Sequence, residues 1–174
     1  WFGKRDDDTS SLGDWVVDRR KLPAGLESLA RGVRERGLQF GLWLEPEMVS
    51  VQSDLYRMHP DWCLHVPARP RSEGRNQLVL DLSRQEVCDY LIEAISRILE
   101  SAPITYVKWD MNRHLTEIGS PALPPERQRE TAHRYVLGLY RVLETITTRF
   151  PHILFESCSG GGGRFDPGML YYMP

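Results

Sequence analysis

Tyr106-Val107-Lys108-Trp109-Asp110-Met111-Asn112-Arg113 decides how this 174-residue chain is read. From Ile104 to Asp110 the residues are β-branched, aromatic or apolar, and Pro103 opens the run, the composition of a short strand. Alternate side chains on a strand share a face, so Lys108 and Asp110 point one way and Val107 and Trp109 the other. A lysine beside an aspartate lowers the carboxyl pKa and keeps it ionised. An ionised carboxylate at the C-terminal end of a strand is what a covalent nucleophile requires. On spacing alone, a plain strand-end salt bridge is an equal alternative.

Working outward, similar units recur. Leu38 to Leu44 reads as a strand ending at Glu45-Pro46, Gln77 to Leu82 as a second, and His152 to Glu156 as a fourth leading into Ser157-Cys158-Ser159 and four glycines. A helix is expected over Pro23 to Arg36, with Leu26, Leu29, Ala30 and Val33 as its apolar stripe and Gly37 just past its end. Val51 to Met58 reads as a short helix. Ser83 and Glu86 form a capping-box pattern before the apolar stripe Val87, Leu91, Ala94, Ile95 and Ile98. A long helix is expected over about Glu126 to Arg149. Residues 1–20 and the basic, proline-rich 67–76 segment read as loops.

Strands alternating with helices indicate parallel βα units, an α/β class. The polar residues gather just after the strands: Glu45-Pro46-Glu47, Asp81, Asp110-Met111-Asn112 and Cys158-Ser159-Gly160. A (β/α)8 barrel and a doubly wound sheet both build their sites there. A full barrel needs about 250 residues, so the expectation is a partial (β/α)8 TIM barrel, about strands 2 to 5 with their helices, forming one domain over 1–174.

Paired carboxylates are the minimal equipment for glycoside hydrolysis. Of Glu45, Glu47, Asp81 and Asp110, only Asp110 has a lysine at strand spacing, which makes it the candidate nucleophile. Glu45 shares strand parity with Trp43 and could face the same mouth. Glu47 and Asp81 fit capping or loop hydrogen bonding better. Trp43 could stack on a sugar or pack in the core. The glycine run lacks the Lys-Ser or Lys-Thr of a phosphate loop, since Arg164-Phe165-Asp166 follows it. The five histidines have no metal-ligand spacing.

A net charge of −2 argues against nucleic acid as a partner, and no apolar run approaches the ~20 residues of a membrane span. Cys63, Cys88 and Cys158 lack redox-pair or metal spacing and fit reduced thiols in a cytoplasmic protein. The chain begins at Trp1 rather than Met, so the true N-terminus is expected to lie upstream and no targeting segment is read.

Five blocks in order resemble the α-galactosidases of glycoside hydrolase family 36: Trp1-Phe2-Gly3 to Gly13-Asp14-Trp15, Gly41 to Val49, Arg75 to Asp81, Lys108-Trp109-Asp110-Met111-Asn112, and Phe155 to Asp166. The second, third and fifth blocks resemble the family's second, third and fifth barrel strands. The resemblance implies a retaining hydrolase of terminal α-galactosyl groups, as in melibiose and raffinose oligosaccharides. Asp110 would be the nucleophile, and Trp43, Arg75, Lys108, Asn112, Cys158 and Gly161 would line the galactose subsite. It implies no metal or organic cofactor, and a homo-oligomeric parent. The family's galactose-gripping aspartate pair precedes the first block, and its acid/base aspartate follows a sixth strand expected to begin near Tyr171. The resemblance therefore implies a nucleophile without its acid, and an isolated chain with little turnover. A raffinose- or stachyose-forming transglycosylase and a non-catalytic galactose-binding module are the alternatives.

Overall fold

A computed structural model describes all 174 residues. Its centre is a parallel sheet of three strands, β1 (Gly41–Leu44), β4 (Tyr106–Trp109) and β5 (Leu154–Ser157), in the order β1-β4-β5. The register sets Trp43, Lys108 and Glu156 side by side in one row and Leu44, Trp109 and Ser157 in the next. Leu42, Leu44, Val107, Trp109 and Phe155 are buried and share one core with the apolar stripes of α3 (Gln85–Glu100) and α4 (Thr131–Arg149). These two helices pack on each other. The opposite face of the sheet stays half open: Trp43, Tyr106, Lys108 and Glu156 are only partly buried, and Leu154 is 57% exposed. Parallel strands are ordinarily covered on both faces.

The run Gln77 to Leu82 does not join this sheet. Only Leu78–Val79 forms a strand, β3, and it pairs antiparallel with β2 (Met48–Val49). The cause is local. Gly74 and Gln77 exchange backbone hydrogen bonds of 3.0 and 3.1 Å across a tight turn that reverses the chain. The expected four parallel strands are therefore three, and the 75–81 block is no barrel strand. Its apolar residues are buried as a short ribbon rather than as a layer of the sheet.

Helix α1 (Gly25–Arg34) ends where expected, with Gly37 at φ 76° just beyond it. In α2 (Asp54–Met58), the Ser53 hydroxyl accepts from the Tyr56 N–H at 3.0 Å. The capping box at α3 does not form, because both the N–H and the hydroxyl of Ser83 donate to Asp81, while Glu86 pairs with Arg84. A 3-10 turn, Pro125–Glu130, precedes α4. Tyr171 and Tyr172, near which a further strand is expected to begin, instead close the short helix α5 (Pro167–Tyr172), where Asp166 accepts from the N–H groups of Gly168 and Met169 and proline occupies the first turn. No helix is long and apolar enough to cross a membrane.

Candidate active site

Beyond the last paired row the strands keep their register. The Asp110 N–H donates to Leu44 O and the Cys158 N–H to Trp109 O, each at 2.8 Å. Glu45, Asp110 and Cys158 thus form the next row, above Trp43, Lys108 and Glu156 and on the same side. Asp110 follows the last residue of the central strand, 6% exposed.

Neutral donors hold its charge. The Trp43 indole Nε1–H donates to Oδ2 at 3.0 Å, and the Met111 N–H donates to Oδ1 at 2.9 Å. Burial alone pushes the Asp110 carboxyl up. Hydrogen bonding from Trp43, Asn112, Cys158 and the Met111 backbone outweighs it and holds the group below its ordinary value. Lys108 is not the source of this stabilisation, contrary to the sequence expectation. Its ammonium lies 3.1 Å from Glu156 Oε1, the residue directly across in the register. Pairing across strands brought a closer carboxylate than the one two residues along the chain.

The other subsite candidates come from separate elements. Trp43 is braced from below by Trp1, whose indole donates to Trp43 O at 3.1 Å, and by the stacked ring of Phe2. Arg75 is exposed at the tip of the Gly74–Gln77 turn, where Arg75 and Asn76 have φ of 54° and 59°. Asn112 follows Asp110 directly. Cys158 is partly buried beside Asp110, whereas Cys63 and Cys88 are fully buried, with burial raising their thiols to about 12 and about 11. Gly161, at φ 94°, has open space where a side chain would start, as do Gly160 and Gly162. That bare stretch of backbone allows a ligand to approach the N–H groups closely.

Each remaining carboxylate near the strand ends is engaged elsewhere. Asp81 accepts from Ser83 and Ser120. Glu47 is fully buried and accepts from Trp109 Nε1 at 3.0 Å, from the Tyr135 hydroxyl, and from Arg164 at 2.8 and 2.9 Å. Glu45 is buried and accepts from the Asn112 N–H at 2.6 Å and from Gln77 Nε2 at 3.2 Å. It lies on the same side of the sheet as Asp110, as its parity with Trp43 implied, but is covered by these partners. Glu47 and Arg164 were missed as a pair in the sequence. Glu-Pro-Glu directly after a strand was the available signal, but nothing local linked it to an arginine 117 residues away. No three His, Cys, Asp or Glu side chains converge as metal ligands would.

A buried, anionic carboxylate ringed by neutral donors and an indole suits attack on an electrophilic carbon within a polar, hydroxyl-rich ligand. The family model for melibiase matches residues 1–174. The chain belongs to the melibiase family. Its sequence is 81% identical to α-galactosidase AgaA of Geobacillus stearothermophilus, over all of this chain and 24% of that protein. It is 56% identical to α-galactosidase Mel36A of Lactobacillus acidophilus, again over all of this chain and 24% of the relative. Among solved structures, GH36 AgaA superposes with a TM-score of 0.97, covering 100% of this chain and 24% of that one. A variant of AgaA solved with raffinose superposes at 0.98 with 81% identity and the same coverage. These melibiase relatives are glycoside hydrolases, and the chain spans about a quarter of their length.

Proposed function

We propose that these residues are the nucleophile-bearing part of the catalytic (β/α)8 barrel of a retaining α-galactosidase. The observation that carries the proposal is Asp110, kept anionic at the C-terminal end of the central parallel strand by neutral donors and by no cation. A carboxylate neutralised by an ion pair would be a poorer nucleophile. The half-open sheet face supports the barrel, since closing the sheet on itself would cover it. Relatives solved with raffinose and with stachyose support terminal α-galactosyl groups as the substrate.

In this reading Asp110 Oδ1 or Oδ2 attacks the anomeric carbon as the bond to the leaving oxygen breaks, forming a covalent glycosyl-enzyme. A second carboxyl, about 5–5.5 Å away, protonates that oxygen and later activates water to release galactose with its configuration retained. Glu45, Glu47, Asp81 and Glu156 are all hydrogen-bonded or ion-paired within the fold. The acid is therefore supplied from outside these residues. Trp43, Arg75, Lys108, Asn112, Cys158 and Gly161 line the galactose subsite, and no cofactor takes part. The free cysteines accord with a cytoplasmic parent, and we extend the proposal to a homo-oligomeric one.

The test is a graft. These 174 residues replace the matching quarter of Geobacillus AgaA, and the product is assayed on an aryl α-galactoside. Turnover with retention is expected, Asp110→Asn should abolish it, and an activated fluorosugar should label Asp110. Labelling of Glu45 or Asp81 would overturn the assignment. Without an acid, worth roughly 10²–10⁴-fold, the 174 residues alone should turn over little. Sustained turnover by them, lost in Asp110→Asn, would contradict that.

A further inference from the structure

We propose that Glu45 is a positioning residue of the sugar subsite, a single buried carboxylate that fixes Asn112 and the Arg75 turn together. This deepens the α-galactosidase reading and rests on it. Glu45 is 1% exposed, and its two oxygens serve different elements. Oε1 accepts the Asn112 backbone N–H at 2.6 Å, holding the chain directly after the nucleophile. Oε2 accepts Gln77 Nε2 at 3.2 Å, holding the base of the turn that carries Arg75.

That turn needs holding. Gly74 and Gln77 close it with two backbone hydrogen bonds, and both central residues lie in the left-handed region. Asn76 tolerates this conformation, but an arginine there is strained and persists only where its surroundings over-determine it. Gln77 Oε1 is buried without a partner, so the orientation of the Gln77 amide depends on Glu45 alone. Glu45 itself forms no ion pair. The charged groups that act on it are Asp110, Arg75 and Arg5. A buried carboxylate without a paired cation is costly to keep. Here it provides two acceptors back to back, which no apolar residue can replace. Asp110 takes hydrogen bonds from Trp43 and the Met111 N–H as well as from Asn112, so its charge does not rest on the Glu45 arrangement alone.

The graft into Geobacillus AgaA tests this through the division between KM and kcat. In Glu45→Ala the Asn112 loop and the Arg75 turn lose their common anchor, and KM for an aryl α-galactoside should rise about tenfold or more, with kcat within about threefold. Glu45→Gln should recover most of the loss. Its carbonyl keeps the Asn112 bond, and the Gln77 amide flips so that its free Oε1 accepts from the new amide. If Glu45→Ala fails to fold, Gln77→Leu carries the test, with KM expected to rise and kcat to hold. An unchanged KM in either variant, or an equal loss of kcat in Glu45→Ala and Glu45→Gln, would overturn the proposal. An inactive unmodified graft would instead refute the α-galactosidase reading beneath it.

Discussion

Replacing Trp43 with phenylalanine separates two roles that the structure joins in one side chain. The indole N–H is the donor to Asp110 Oδ2 at 3.0 Å, and in the proposed subsite the ring is a wall. Phenylalanine keeps most of the wall and deletes the donor. A hydrogen bond to an ionised group is worth about 1.5–3 kcal/mol. Burial, which pushes the Asp110 carboxyl up, is then opposed by fewer donors, so the carboxyl rises. Asp110 works as the anion, and kcat/KM on the acid side tracks its ionised fraction in the free enzyme. At about 1.4 kcal/mol per decade, activity below the acid limb should fall roughly 10- to 100-fold relative to the plateau. The limb itself moves to higher pH, while the plateau drops far less. The assay is the pH dependence of kcat/KM for an aryl α-galactoside in the Geobacillus graft. An acid limb left in place, with a uniform fall at every pH, would show that Trp43 acts only as a surface and that the indole does not hold the nucleophile's charge.

Arg164→Met should destabilise the fold by about 3–5 kcal/mol, because Glu47 would remain fully buried with only Trp109 and Tyr135 as donors. Chemical denaturation of the graft checks this, and Glu47→Gln in the Arg164→Met background should restore part of the loss. Gly138→Ala would set a methyl 1.9 Å from Leu82 O, so a cost of about 1–3 kcal/mol is expected, and an unchanged denaturation midpoint would contradict the close approach of α4 to that chain segment. Under native conditions an alkylating reagent should modify Cys158 well before Cys63 or Cys88, whose thiols are buried and raised to about 12 and about 11. An α-galactoside should slow that modification, and peptide mass mapping reads both results.

The strand Tyr106–Trp109, the helices α3 and α4, and the placement of Asp110 at a strand end were all legible along the chain, because each follows from a period of two or about 3.6 residues within a short window. The β2–β3 pairing was not. Its strands are two residues long, too short for any period to appear. The failed capping box shows the same limit. Ser83 had a competing acceptor two residues back in Asp81, and a pattern that looks only forward misses it. Asp166-Pro167 was a readable helix start that the expectations left out.

By itself the sequence determined which groups could act: a carboxylate ending a strand, an indole of matching parity on another, an arginine in a turn and a bare glycine loop. Those are properties of neighbours along the chain. Tertiary structure decided which groups act on which. The cross-strand register gave Lys108 to Glu156 and left Asp110 to Trp43 and the Met111 N–H. It also set Glu45 between Asn112 and Gln77. Hydrogen bonds and ion pairs act over about 3 Å, and at that range partners separated by tens of residues are chosen by folding rather than by spacing.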